Sequence, residues 1–462
     1  MFNPNSLNSI LSYAKKLKGH TLREKCIDKI ENHKFKGKGS FGQLVEKFYF
    51  GYEPNTKSEA DFAEVGLELK CSPLKTLKNG DIRSKERLVL NIIDYLEVYK
   101  EDFEKSTFWK KNAHLLLIFY LHDNKKNLLD YPIKLVGNWK YPNEDLEIIK
   151  KDWETINRKI KDGKAHEISE GDTFYLGACT KGSKSYKSLR NQPFSNVKAK
   201  QRAYSLKQGY INHIIANIAK DKKVLYGKIL NRETKKNNSI SLEKIVISKF
   251  IPFYGKTARE IEEHFNLKLN SSAKSYYADL TKAILGIELS KKIEEFEKAD
   301  VQVKTIRLNE NNLPKEHISF KNFKYEEIVK LDWQRSNLKH ILEQKFFFVF
   351  FQFVKGTLCL STVKFWNMPY SDILEVKVVW DKTVDTINSG RIVKNINDKG
   401  IRITYFPKKS ENRICHVRPH AKNKEDTFPL PTKDKYSGLN EYTKHCFWLN
   451  NTYIRDNIYL SN

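Results

Sequence analysis

The chain has 462 residues, longer than one ordinary hydrophobic core sustains, so two or three domains are expected. Its 40% hydrophobic and 12% aromatic content excludes a chain disordered throughout. The 83 Lys and Arg against 56 Asp and Glu leave a charge of +27, which points to a polyanionic partner, nucleic acid first, rather than merely a lysine-rich surface.

The first segment, MFNPNSLNSILSYAKKLKG (1–19), reads as an amphipathic helix and not as a secretory leader. CIDKIENHKFKGKG (26–39) continues helical and basic. It runs into GKGSFGQLVEKF (37–48), a formal GxGxxG that no strand precedes, which argues against a dinucleotide loop. Ser40 as N-cap with Gln43 three positions on predicts a capping box instead. The helix it opens carries Glu46, and Lys36 and Lys38 in the glycine-rich lead suit close approach to a phosphate.

DFAEVGLELK (61–70) is the most informative stretch. Val65, Leu67 and Leu69 alternate with Gly66, Glu68 and Lys70, predicting a strand with one face in the core and Glu68 and Lys70 side by side on the other. Asp61, across a bend, can reach the same point. Two converging carboxylates repel unless a cation lies between them, and hard oxygen ligands suit Mg²⁺, which also accepts a phosphate oxygen. A lysine beside such an ion could orient the attacking water and steady charge on phosphorus. The plainer alternative is a solvated strand face with a Glu–Lys pair.

Apolar strands are predicted at His114–Tyr120 and Phe346–Phe353, and a helix around each of Trp153 and Trp380. FFFVFF (346–351) is far too short to span a bilayer, so no membrane partner is expected. The six scattered cysteines lack any CxxC pair, as in a cytoplasmic protein, and Cys415-His416 and His445-Cys446 lack zinc-finger spacing. PYSDILEVK (369–377) imitates the acidic motif, but only two residues separate Asp372 from Glu375 and the run enters the Trp380 helix.

Five matches recur in order across the two halves. GHTLRE (19–24) answers to GKTARE (255–260), SFGQLVEKFYFG (40–51) to SYYADLTKAILG (275–286), and DFAEVGLELK (61–70) to EFEKADVQVK (295–304). Trp153, Gly163 and Lys164 answer to Trp380, Gly390 and Arg391; Leu206, Tyr210 and Ile211 to Leu449, Tyr453 and Ile454. The expectation is two tandem α/β copies, 1–220 and 241–462, joined by a polar linker over 221–240 that includes NRETKKNNS.

GQLVE followed by the spaced Asp61, Glu68 and Lys70 resembles the MutH-type branch of the PD-(D/E)xK nucleases. The likeness extends through Lys85-Glu86-Arg87, DWETI (152–156) and SLKQGYI (205–211), although Ala60 stands where a proline often precedes the aspartate. With the duplication, the chain resembles most the GATC-cutting type II restriction endonucleases of the Sau-three-AI kind. The resemblance implies two MutH-like folds, each a central mixed sheet flanked by helices. It implies Glu46, Asp61 and Glu68 as metal-binding acids and Lys70 as the catalytic lysine, with Mg²⁺ as cofactor and Mn²⁺ as a substitute. It further implies DNA contacts from Lys36, Lys38, Lys181 and Lys207.

In the second copy the same positions are Thr281, Glu295, Gln302 and Lys304, which predicts a domain that binds DNA without cutting it. There CHVRPHAKN (415–423) resembles the base-reading loop, with Arg418, His420 and Lys422, where the first-copy loop ACTKGSK keeps mainly Lys181. The implied activity is cleavage of double-stranded DNA 5′ of GATC, with the second domain on an effector site. A single active copy implies transient pairing of two chains, DNA looping or sequential nicking. A MutH-like nicking enzyme of mismatch repair and a non-catalytic DNA-binding regulator are the alternatives.

Overall fold

In the computed structural model residues 2–31, 41–54, 59–182, 188–220, 224–230, 241–398 and 400–461 are described. Lys36, Lys38 and Ser40 lie outside the described residues. The chain packs as two units, Met1–Leu242 with Ile287–Val301, and Glu243–Gly286 with Gln302–Asn462. Ile287–Val301, which the repeat places in the second copy, thus packs with the first unit.

The first unit is built on a four-stranded mixed sheet of β1 (Glu68–Thr76), β2 (Ile82–Ser84), β4 (His114–Leu121) and β5 (Ile133–Lys140) in the order β2-β1-β4-β5. β1 and β4 run parallel, so β4 is covered on both faces, and its apolar run from Leu115 to Phe119 is wholly buried. One face carries the N-terminal helices: Ile10, Ala14, Leu22, Phe41 and Leu44 pack with Leu67, Leu69, Leu116 and Ile118. Beside β5 lies the helix Gln208–Ala219; a Cβ at Gly137 would come within 2.6 Å of Ile218, so glycine is what lets the two approach. A second, antiparallel sheet joins β3 (Leu88–Ile92), β6 (Leu176–Thr180) and β7 (Arg202–Leu206) in the order β3-β7-β6.

The second unit repeats this plan. β8 (Gln302–Leu308) pairs parallel with β10 (Phe346–Val354), which pairs antiparallel with β11 (Thr357–Trp366). The antiparallel sheet of β9 (Ile318–Ser319), β12 (Cys415–Pro419) and β13 (His445–Leu449) has the order β9-β13-β12.

The repeated sequences fold alike down to single bonds. Thr21 and Glu24 exchange the reciprocal hydrogen bonds of a capping box, as do Thr257 and Glu260. The tryptophan helices Asn143–Lys161 and Tyr370–Asn388 each follow a proline and bury Trp153 or Trp380. Tyr210 donates to Asp145 at 2.9 Å in one unit and Tyr453 to Asp372 at 2.5 Å in the other. This also disposes of the 369–377 motif: Asp372 lies in the first turn of a helix and pairs with Arg413.

The borrowed segment is tied firmly into the first unit. Lys298, on the helical turn Glu294–Ala299, is buried and bonds Asp145 at 2.9 Å and Glu294 at 2.8 Å. Burial alone would lower the pKa of its ammonium, and the two carboxylates more than offset that, so the lysine is held charged. Asp300 accepts the Gly209 N–H at 3.1 Å. Among the described residues no helix is long and apolar enough to cross a membrane.

Candidate active site

The acidic motif is not strand throughout. Ala63–Val65 form a 3₁₀ turn, Gly66 is left-handed at φ +58°, and β1 begins only at Glu68. The left-handed glycine ends the alternation read from sequence and turns the chain back on itself. Phe62 and Leu67, both buried, exchange backbone hydrogen bonds of 3.0 and 3.2 Å across the neck of this loop. Asp61 is thereby returned to the start of β1. Its N–H donates to Glu68 Oε2 at 3.1 Å, and the Leu69 N–H donates to Asp61 Oδ2 at 2.9 Å.

Glu68 is 1% exposed and its charge is compensated from two sides. Lys70 Nζ donates to Oε1 at 2.5 Å from two positions along the same strand. Lys111 Nζ stands 3.7 Å from the same oxygen, carried by the helix Thr107–Asn112 that Ser106 caps. Burial raises the Glu68 pKa against the pull of both lysines.

Glu46 sits on a π-helical turn, Val45–Phe50, that Gly51 closes in the left-handed conformation. Such turns are uncommon and recur at functional sites. Burial, then the charges of Asp61 and Glu68, push its pKa up to about 7, with Lys70 and Lys111 opposing. Glu46 therefore stands within electrostatic reach of the pair. Among the described residues, however, no three of His, Cys, Asp and Glu are placed to close on one ion. The geometry is Asp61 and Glu68 linked through backbone N–H groups at the head of β1, two lysines on Glu68, and Glu46 alongside. A pair of this kind still fits Mg²⁺, which takes one or two protein carboxylates and fills its octahedron with water and phosphate oxygens.

Among the described residues the second unit does not repeat this centre at the corresponding positions. Thr281 is buried on a helix and donates to the Tyr277 carbonyl at 2.8 Å. Gln302 opens β8, and the Lys304 ammonium has no hydrogen bond or ion pair among the described residues, its pKa lowered by burial alone. Glu295 belongs to the first unit, where its carboxylate accepts the Ile229 and Leu230 N–H groups at 2.9–3.0 Å.

The predicted DNA-facing residues divide. Arg418, His420 and Lys422 are exposed on and after β12. The Arg418 guanidinium lies 4.2 Å from the Trp448 ring centroid, and Asn322 braces the His420 loop through the His420 carbonyl at 2.9 Å. Lys181 is partly exposed, its N–H donating to the Gln201 carbonyl. Lys207 is corrected: it is buried, and its ammonium donates to the Thr173 carbonyl at 2.5 Å, so it presents no charge to a phosphate. Sequence reading missed Lys111 and Trp448. The signal for Lys111 is a lysine ending a short helix directly before the central strand.

The family model described as DNA mismatch repair enzyme MutH matches residues 50–152, the stretch that holds Asp61, Glu68, Lys70 and Lys111. DNA mismatch repair proteins MutH from Shewanella woodyi and Yersinia enterocolitica are 26% and 23% identical, covering 36% and 46% of this chain and 71% and 93% of their own lengths. The type II restriction enzyme Sau3AI of Staphylococcus aureus is 40% identical over 461 residues, 91% of this chain and 92% of its own. With that identity running through both units, the chain belongs to the Sau3AI family of type II restriction enzymes.

Proposed function

We propose that the first unit hydrolyses double-stranded DNA on the 5′ side of GATC with Mg²⁺, leaving 5′-phosphate and 3′-hydroxyl ends, and that the second unit binds another GATC site as an effector. The observation that carries the reading is the meeting of Asp61, Glu68, Lys70 and Lys111 at the head of β1 in a member of a restriction-enzyme family. When bound, Mg²⁺ would supply a Lewis acid for the phosphate and an acidified water; Mn²⁺ would serve in its place. Asp61 and Glu68 would hold the ion, and Glu46 would join them once deprotonated. Lys70, two positions along from Glu68, is placed to orient the attacking water, and Lys111 to steady negative charge developing on phosphorus.

Arg418, stacked on Trp448 and with no acid among its contacts within the described residues, suits bidentate hydrogen bonding to guanine, a contact worth about 1–3 kcal/mol of discrimination. Because the second unit lacks the acids, one chain carries one cutting site. Both strands are then cut by pairing of two chains, by looping or by successive nicks. The expected setting is the cytoplasm, consistent with the absence of a membrane-crossing helix among the described residues.

The test is digestion of a plasmid and of a bacterial genome with Mg²⁺, then with EDTA, followed by sequencing of the ends. Ends that all begin 5′-GATC support the reading. Ends at another sequence, or nicks that never become breaks, refute it.

A further inference from the structure

Tyr52 lies just past the π-helical turn that carries Glu46. Its N–H donates to the Glu46 carbonyl at 3.2 Å, and its ring packs edge-on against Phe62, the neighbour of Asp61, with centroids 5.7 Å apart. Through its backbone N–H and its ring, Tyr52 thus bridges the two segments that deliver Glu46 and Asp61. Its hydroxyl is fully buried and has no hydrogen-bond partner among the described residues, while standing within electrostatic range of Asp61, Glu46 and Glu68.

A buried O–H with nothing to donate to is unfavourable; Tyr141, Tyr175 and Tyr204 carry others among the described residues, and Tyr52 is the one of these tyrosines within electrostatic range of Asp61, Glu46 and Glu68 together. Packing does not require it, because phenylalanine would fill the same ring site against Phe50 and Phe62. What the hydroxyl lacks is an acceptor, and the acceptors that a working site would bring are water and phosphate oxygens at the Asp61–Glu68 pair. We propose that Tyr52 is a positioning residue of the cleavage site, its O–H donating to a water that enters with the divalent ion beside Asp61. The inference rests on the reading of Asp61 and Glu68 as the ion site.

The proposal sets stability against function at one atom. Tyr52→Phe removes the orphaned hydroxyl, so the ion-free variant melts at the same temperature as the parent or a few degrees higher. It binds Mn²⁺, titrated into the full-length protein and read by electron paramagnetic resonance, about three- to tenfold more weakly. Single-turnover cleavage at saturating Mn²⁺ falls about tenfold or more, with DNA affinity unchanged. A Tyr52→Phe protein that melts lower, or that binds Mn²⁺ as the parent does, overturns the assignment and leaves the tyrosine a packing residue. Asp61→Asn in parallel separates the two failures. If it abolishes Mn²⁺ binding while Tyr52→Phe does nothing, only the role of Tyr52 falls; if it leaves Mn²⁺ binding intact, both readings fall.

Discussion

Glu46 is where the local electrostatics of the site become measurable. Its pKa rises from 4.5 to about 7 in the ion-free folded protein, so folding retains a proton that the unfolded chain releases between those values. The folded state then binds more protons than the unfolded one, and the ion-free protein loses stability as pH climbs through that window. Thermal melts between about pH 5 and 7 should show this fall, and Glu46→Gln should flatten it. A divalent ion must find the carboxylate ionised, so its affinity should rise over the same interval with release of about one proton, read by calorimetry in buffers of different ionisation enthalpy. Lys111 gives a second residue-scale expectation. Lys111→Met should lower single-turnover cleavage by about 10²-fold or more, the usual loss when a charge-stabilising donor is removed.

At the scale of elements, tertiary placement overrides sequence order most clearly in Ile287–Val301. Its Lys298 is matched by Asp145 and Glu294 with all three side chains under 10% exposed. Removing one partner of a buried pair leaves uncompensated charge, and Lys298→Met is expected to cost about 3–5 kcal/mol, read as a lowered urea midpoint. The repeat was legible because local rules carry it: the capping boxes at Thr21 and Thr257 and the prolines before both long helices are written in adjacent residues. The Asp61–Glu68–Lys70 core of the site was legible for the same reason, since a turn and a strand period bring them together. Val65 and Gly66 were misread as strand because a single left-handed glycine breaks the period without altering the apolar pattern. Lys111 and Tyr52 reach the site through packing of separate elements, and Lys207 is buried by carbonyls far from it in sequence; no local pattern encodes either outcome.

For the whole molecule, the proposed function ties the behaviour on DNA to the +27 charge and to the neutral Thr281 and Gln302 of the second copy. A protein neutralising roughly 6–10 phosphates loses about 10³–10⁵ in affinity between 50 and 200 mM salt, and a log–log titration should give a slope of that order. A flat salt response would disconnect the charge from DNA binding. The proposed division of labour between the units rests on Glu46 and Glu68 in the first copy against Thr281 and Gln302 in the second. It is tested most directly by Glu68→Gln, which copies Gln302 into the working site, assayed for cleavage and for DNA affinity on the same GATC duplex. The account predicts cleavage reduced by at least about 10³-fold with affinity within about twofold of the parent; cutting at the parent rate would contradict it.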